Sequence, residues 1–240
     1  MGKVILVSSG KGGTGKTMFT VNLGSALAMK GKRVMLIDMD MGLRNMDIYL
    51  GMENRVVYNL MDVISGICRI KKAMLKVNGF DTLYFMAASP RRDDRDITPL
   101  HMEILCSKLK RYFDYIIIDC PAGIGDAFDV ALAPADKVII VTEPEVASLR
   151  DADVTERYLQ EKGKTDISFV INKVKVELMR AGLVPGLQEI LNMFKGPVIG
   201  LIQDDDNIHI STNKGIPIVC KQGTYIERNF MEIASRIIGQ

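Results

Sequence analysis

Cysteine is scarce in this chain of 240 residues, which carries four widely separated ones: Cys68, Cys106, Cys120 and Cys220. No two of them form a C-x-x-C pair, so the sequence indicates neither a zinc site nor a metal-cluster site. Free thiols at such spacing are typical of a reducing cytoplasm. We therefore expect a cytoplasmic protein.

Excess charge of either sign is also missing, because 31 lysine and arginine residues face 29 aspartate and glutamate residues. The resulting net charge of +2 is too balanced for a protein whose main partner is nucleic acid, so we expect no such partner. The densest charge cluster, residues 91–96, mixes both signs without aromatic residues. That composition predicts a solvated loop.

Long apolar runs are the third absence. No run reaches the roughly 18 residues that a membrane span requires, and the first apolar run follows Met1-Gly2-Lys3 too closely for a signal peptide. We expect a soluble or peripherally bound protein. A hydrophobic content of 48% over 240 residues can bury a large core, and we expect a single domain over residues 1–240.

What the chain does contain is an alternation of short apolar runs and helical stretches. The runs lie at 4–7, 34–37, 83–86, 115–118, 138–141, 167–171 and 198–202. Helices are predicted at 16–30, 99–113, 147–161, 186–194 and 225–238. This pattern is typical of an α/β fold with a doubly wound, mostly parallel sheet and helices on both faces.

Residues 10–17 carry the strongest motif, Gly-Lys-Gly-Gly-Thr-Gly-Lys-Thr, which satisfies the phosphate-loop pattern G-x-x-x-x-G-K-[ST] between a strand and a helix. Its glycines permit a turn whose N–H groups converge on phosphate oxygens. We expect Lys16 to bridge the β- and γ-phosphates and the Thr17 hydroxyl to ligate Mg²⁺. The motif predicts a nucleoside triphosphatase whose nucleotide contacts Gly10, Lys11, Gly12, Gly13, Thr14, Gly15, Lys16, Thr17 and Met18.

Polar side chains follow each predicted strand. The strand ends are Ser9-Gly10, Asp38, Ser89, Asp119, Thr142-Glu143, Asn172 and Gln203-Asp204. Ligands of open parallel sheets bind outside the carboxyl ends of the strands, so these residues predict one site.

Three acids at this edge suit Mg²⁺ chemistry. Asp119 has the character of a Walker B acid, which holds Mg²⁺ directly or through a water. Asp38 and Asp40 lie two residues apart and would point the same way if the strand continued. One of them would then organise the Mg²⁺ shell while the other orients the attacking water.

Several longer motifs together carry a family resemblance. They are the loop with its extra Lys11, Asp-Met-Asp-Met-Gly-Leu-Arg-Asn-Met-Asp (38–47), Leu-Gly-Met-Glu-Asn-Arg-Val-Val-Tyr (50–58), Asp-Cys-Pro-Ala-Gly-Ile (119–124), Arg-Asp-Ala-Asp (150–153) and Ser-Thr-Asn-Lys-Gly (211–215). From about residue 2 to residue 239 the chain resembles the MinD branch of the ParA/MinD family, deviant phosphate-loop ATPases that place the bacterial division septum. The resemblance implies hydrolysis of ATP with Mg²⁺ and an ATP-dependent homodimer that sandwiches two ATP molecules.

The resemblance also implies residue roles. Lys11 would reach across the dimer to the partner's phosphates, Asp40 would lie nearest the attacking water, and Asn172 would hydrogen-bond the adenine. Asn45 would share the first switch with Asp40, and Asp151 would lie near the dimer groove where regulators of the MinC and MinE type dock. The implied catalytic residues are then Lys11, Lys16 and Asp40, and the implied metal ligands are Thr17, Asp38 and Asp119. Met18 stands where members of the family commonly carry threonine or serine, and Gly125 stands where they commonly carry an acidic residue.

Related functions remain as alternatives: a flagellar-number regulator of the FlhG/FleN type, or a ParA-like partitioning ATPase, which the balanced charge disfavours. A third alternative is a metal-cluster carrier like the nitrogenase iron protein, but this chain lacks the cysteines that such a carrier needs.

The last predicted helix carries an apolar stripe made of Ile226, Phe230, Ile233, Ile237 and Ile238. Such a stripe suits either a membrane face or core packing, and we expect core packing because the same positions align with the last helix of the fold in relatives. Members of the family typically continue into an amphipathic membrane-binding helix. We therefore expect peripheral membrane association only for a longer chain that carries such a tail.

Overall fold

A computed structural model describes residues 2–41, 44–90, 97–121 and 123–239 of the chain. Its centre is a sheet of eight strands in the order β3-β4-β2-β5-β1-β6-β7-β8. Neighbouring strands run parallel except β3 and β4, which pair antiparallel at one edge. The strands are β1 (Lys3–Ser8), β2 (Val34–Asp38), β3 (Leu75–Lys76), β4 (Leu83–Met86), β5 (Tyr115–Asp119), β6 (Lys137–Thr142), β7 (Ile167–Val174) and β8 (Val198–Gln203).

Eleven α-helices and two short 3₁₀ turns surround the sheet in the residues that the structure describes. The helices are α1 (Lys16–Met29), α2 (Met46–Tyr49), α3 (Leu60–Ile64), α4 (Ile70–Ala73), α5 (Pro99–Leu109), α6 (Asp126–Leu132), α7 (Val146–Glu161), α8 (Val176–Arg180), α9 (Leu187–Met193), α10 (Asp206–Asn213) and α11 (Tyr225–Ile238). The 3₁₀ turns are Glu53–Arg55 and Ile218–Cys220.

All seven predicted strands are confirmed, each within a few residues of its predicted ends. They read as unbroken apolar runs because two apolar layers cover the sheet, one on each face, as the two separate core clusters show. The prediction missed β3, whose two residues are too few to give a periodic signal. The predicted charged loop at 91–96 lies outside the described residues.

Two helix predictions need correction. The helix predicted at 16–30 ends at Met29, and every residue from Met18 to Ala28 is buried between the sheet and neighbouring helices. The helix predicted at 99–113 ends at Leu109. Its predicted start is confirmed, since the Thr98 hydroxyl caps the helix by accepting a hydrogen bond from the His101 N–H at 3.3 Å.

The apolar stripe of α11 packs into the core, as expected. Ile226, Phe230 and Ile233 are buried, and the Phe230 ring lies 6.0 Å from that of Phe19 on α1. The absence of a side chain at Gly200 lets Ile233 approach β8, because a Cβ there would come within 2.3 Å of its Cδ1. Among the described helices, none combines the length and the apolar character that a bilayer crossing requires.

Candidate functional site

The carboxyl ends of β1, β2 and β5 bring the predicted loop and acids together. Residue pairing along the sheet sets Asp119 beside Val7 on one side and beside Asp38 on the other. The chain leaves β1 at Ser8 and enters α1 at Lys16. The phosphate loop therefore starts one strand away from Asp119 and two strands away from Asp38.

The loop itself has the conformation that its glycines permit. Gly13 and Gly15 adopt left-handed φ values of +83° and +90°, which side chains other than glycine rarely take. Gly15, the N-cap residue of α1, has no side chain that could cap the helix. A helix start with uncapped N–H groups and the positive end of the helix dipole is suited to an anion.

Two side chains from the end of β7 brace this loop. The Asn172 amide donates to the Thr14 carbonyl at 2.7 Å, and the Lys173 ammonium donates to the Gly13 carbonyl at 2.7 Å. The same ammonium pairs with the Glu143 carboxylate at 2.7 Å. Sequence reasoning gave Lys173 no role, because its contact joins positions 160 residues apart.

The paired acids are buried and held by specific donors. Asp119 accepts a 2.5 Å hydrogen bond from the Thr17 hydroxyl. Asp38 accepts one from the Asp40 backbone N–H at 2.9 Å and another from the Met46 N–H at 3.3 Å. The strand ends at Asp38, so the condition under which Asp38 and Asp40 would point the same way along β2 is not met. Asp40 instead sits half-buried after the strand.

Burial of these acids perturbs their titration. Loss of solvent, together with the nearby Asp119 carboxylate, raises the pKa of Asp38 to about 8. Loss of solvent raises the pKa of Asp119 to about 6, against the opposing effects of the Thr17 hydrogen bond and the Lys16 charge. Two desolvated carboxylates beside each other are suited to a bound cation, which would offset both costs.

The raised pKa of Asp38 predicts a pH-dependent stability. Between the unfolded pKa of 3.8 and about 8, the folded chain keeps a proton that the unfolded chain releases, so the free energy of unfolding falls as pH rises. Asp38→Asn removes this effect. The melting temperature of the variant minus that of the unmodified chain should therefore increase by several degrees between about pH 5 and pH 8. A change of 1 kcal/mol in the free energy of unfolding corresponds to roughly 2–4 °C.

Calorimetry of the nucleotide-free proteins measures this difference. The variant also loses the acceptor for the Met46 N–H, which lowers its melting temperature at every pH. Asp81→Asn makes the same charge change at a side chain that is 99% exposed and serves as the control. A constant offset between Asp38→Asn and the unmodified chain across the pH range would contradict the prediction.

The two loop lysines have different surroundings. The Lys11 ammonium pairs with the Glu145 carboxylate at 3.2 Å, and both side chains are partly exposed, at 34% and 58%. Lys16 begins α1 and makes no ion pair within the part of the chain that the structure describes. Asp151 lies directly behind the loop, since a Cβ on Gly10 would come within 2.5 Å of the Asp151 Cβ.

A cleft of about 220 Å³ opens beside the loop. It is lined by Gly13, Gly15, Met18, Tyr49, Asn172, Lys173, Gln203, Asp204, Asp205, Ile208, His209, Thr212 and Asn213. The predicted strand ends Asn172 and Gln203-Asp204 thus meet at one site, whereas the contributions of Tyr49 and α10 were not predicted.

Unpaired polar atoms show that this region fits a nucleotide. The Asn172 Oδ1 and the Thr14 Oγ1 are buried and have no hydrogen-bond partner among the described residues. Buried polar atoms are normally paired, so an unpaired acceptor at the cleft wall is suited to a ligand donor. The loop offers donors for phosphates, and the cleft offers room beside them.

Comparisons with known proteins agree with this geometry. A family profile described as an AAA domain matches residues 2–168. The septum site-determining protein MinD of Synechocystis is 44% identical over all of this chain and 91% of its own length. This chain belongs to the MinD family. The MinD protein of Bacillus subtilis is 40% identical over all of this chain and 90% of its own length.

Solved structures of the MinD family confirm the predicted fold class. MinD in a MinC:MinD complex from Aquifex aeolicus gives a TM-score of 0.93 at 37% identity, covering 99% of this chain and 96% of that one. MinD of Pyrococcus horikoshii, complexed with Mg-ADP, gives 0.88 at 28% identity, covering 99% and 96%. A partition protein of Borrelia burgdorferi gives 0.80 at only 18% identity, which shows the shared fold alone.

Proposed function

We propose that this chain is an Mg²⁺-dependent ATPase of the MinD type, which acts as an ATP-gated dimerisation switch in placing the division septum. The observation that carries the ATPase assignment is the uncapped helix start at Lys16 beside the paired buried acids Asp38 and Asp119. The MinD relatives support a division role over the flagellar and partitioning alternatives. Residues 1–240 would form one ATPase domain.

The loop backbone and Lys16 would hold the phosphates. Thr17, Asp38 and Asp119 would hold Mg²⁺, since hydroxyl and carboxylate oxygens are the ligands that this cation prefers. Bound Mg²⁺ supplies positive charge against the phosphate oxygens. Asp40 would orient the water, with Asn45 in the same switch region.

Dimerisation would recruit Lys11 to the partner's nucleotide. In the single subunit Lys11 is paired with Glu145, and a partly exposed ion pair of this kind is worth about 0–1 kcal/mol. So weak a contact is easily exchanged for phosphate. The Lys11–Glu145 pair would therefore hold the lysine near the loop without preventing its transfer to the partner.

Regulator binding would follow from the same dimer. Aquifex MinD occurs in a complex with MinC, and a regulator of the MinC type, or of the MinE type, is a corresponding partner for this chain. Asp151, packed behind Gly10, would couple such a regulator to the loop. We place the protein in the cytoplasm, with peripheral membrane association for a longer form and no nucleic-acid partner.

The base site is expected to prefer adenine over guanine by about tenfold or more. The Asn172 Nδ2 is engaged by Thr14, so its free Oδ1 can accept from the adenine amino group but would face the guanine carbonyl, also an acceptor. Position 175 is Lys, whereas guanine-binding Asn-Lys-x-Asp loops carry aspartate there. Calorimetric titration with ATP and GTP measures the preference.

Variants at positions 172 and 175 complete the test. Asn172→Ala should weaken ATP binding and reduce the discrimination between bases. Lys175→Ala, at an exposed position beyond β7, should preserve both. Equal affinities of the unmodified chain for ATP and GTP would remove Asn172 from base recognition.

Deleting the gene in the organism that carries it tests the cellular role. We expect septa at the cell poles and minicells without chromosomes, because division would lose its placement. Complementation should require the unmodified chain and fail with Lys16→Ala. Normal septa with an altered number of flagella would instead favour the flagellar alternative.

A further inference from the structure

A cavity of about 760 Å³ lies away from the proposed nucleotide site. It opens between α4, the C-terminal end of α5, and β4. Its lining residues are Arg33, Ile70, Lys71, Met74, Lys76, Asp81, Thr82, Tyr84, Lys108, Leu109, Tyr112 and Phe113. We call it the β4-edge cavity.

This cavity lies at the amino ends of the strands, whereas the phosphate loop lies at their carboxyl ends. Arg33 and Thr82 directly precede β2 and β4, and Phe113 lies two residues before β5. Asp38 and Asp119 stand at the other ends of β2 and β5, so roughly 16 Å of strand separates the two sites. A ligand here would not compete with ATP.

The walls of the β4-edge cavity are mainly apolar. Met74 and Ile70 come from one side, and Leu109 and Phe113 from another. The Phe113 ring packs edge-to-face on Tyr84, with centroids 5.6 Å apart. Tyr112, exposed by 67%, stands at the cavity without covering it. These walls suit the apolar body of a ligand.

The charged groups around the cavity are mostly positive. Four cations line it against one carboxylate, that of Asp81. Arg33 pairs with Asp114 at 2.7 Å and Lys76 with Asp81 at 3.1 Å. The side-chain ammonium groups of Lys71 and Lys108 make no ion pair or hydrogen bond with any residue that the structure describes. Two uncompensated ammonium groups therefore stand beside apolar walls.

We propose that the β4-edge cavity binds a small amphiphile with an anionic head group and an apolar body, of the class of a fatty-acid carboxylate. The head group would lie between Lys71 and Lys108, and the chain would lie against Met74, Tyr84 and Phe113. The volume falls within the range of about 300–1,000 Å³ that small-molecule sites occupy. An inorganic anion would leave the apolar walls wet, and a neutral lipid would leave both ammonium groups unpaired.

Equilibrium dialysis of the full chain with radiolabelled dodecanoate tests the proposal. We expect saturable binding of dodecanoate at one site. Saturating Mg-ATP should not change this binding, because the β4-edge cavity and the proposed nucleotide site lie at opposite ends of the strands. Dodecanol and inorganic phosphate, which each carry one half of the ligand chemistry, should compete at least about tenfold more weakly. Displacement by ATP, equal competition by dodecanol, or the absence of saturation would overturn the proposal.

Charge-reversal variants locate the site. Lys71→Glu combined with Lys108→Glu should weaken dodecanoate binding by about tenfold or more, since two attractions become repulsions. Lys72→Glu combined with Arg111→Glu makes the same charge change on neighbouring exposed residues that do not line the cavity, and it should bind as the unmodified chain does. ATP hydrolysis at the unmodified rate in both variants shows that they are folded. Equal losses in both, or no loss in the first, would refute the site.

Discussion

Lys11→Ala is expected to reduce ATP hydrolysis by about 10³-fold or more while leaving much of the ATP binding intact. Lys11 stands at the mouth of the phosphate loop, where it pairs with Glu145 and not with the acids of the site. A cation supplied in trans to the transferred phosphoryl group is worth roughly 10³ to 10⁵ in rate where it has been measured. Dimerisation should be lost together with hydrolysis, because the proposed contact of Lys11 with the partner's nucleotide would also join the subunits.

Lys16→Ala should behave differently, since Lys16 begins α1 inside the loop. Without the charge of the Lys16 ammonium, only the uncapped N-terminus of α1 would attract the phosphates. We therefore expect ATP binding to be abolished. Fluorescent ATP reports binding, and light scattering reports the dimer. Glu145→Gln keeps Lys11 and removes only its partner within the subunit, so it should still hydrolyse ATP. If Lys11→Ala dimerised and hydrolysed ATP like the unmodified chain, the trans-lysine mechanism would be wrong.

The sequence predicted the part of the site that is continuous in the chain. The phosphate loop and the acids Asp38 and Asp119 are found where the strand ends place them, because parallel strands present their carboxyl ends at one edge. Register along β2 and β5 makes the two acids neighbours. These features depend on the local sequence pattern and on the common direction of the parallel strands.

The remaining part depends on contacts between distant segments, which local patterns do not encode. The cleft beside Asn172 is closed by α10, whose end packs on the end of α2 through two glycines. A Cβ on Gly215 would come within 2.5 Å of the Gly51 Cα, and Gly215 has a left-handed φ of +62°. The packing therefore requires glycine at position 215, yet a glycine alone does not identify its neighbour.

Short elements were missed for a related reason. Helices α2, α3 and α4 have four or five residues each, which is little more than one turn and gives no measurable period. They form because they pack against other helices, α2 against α1 and α10 and α3 against α4, not because their own propensity suffices. The β4-edge cavity lies beside α4, and so it too was not apparent from the sequence.

The position of Asp40 makes a separation of ATP binding from hydrolysis possible. Its link to the buried acids runs through the backbone, because the Asp40 N–H donates to the Asp38 carboxylate at 2.9 Å. Replacement by alanine keeps that N–H. The arrangement of Asp38 and Asp119 should therefore persist in Asp40→Ala, and with it the proposed Mg²⁺ site and the affinity for ATP.

Asp40→Ala is accordingly expected to form an ATP-bound dimer that hardly turns over. The attacking water would be present but poorly oriented, and loss of a positioned acid or base costs about 10² to 10⁴ in rate. Phosphate release under single-turnover conditions measures the rate, and light scattering measures the dimer. Asp38→Ala is the contrasting variant, because it removes the acceptor of the Asp40 and Met46 N–H groups and should weaken Mg-ATP binding as well as turnover. Unchanged turnover in Asp40→Ala would exclude Asp40 from the mechanism, and loss of both binding and turnover would make it a structural residue of the switch.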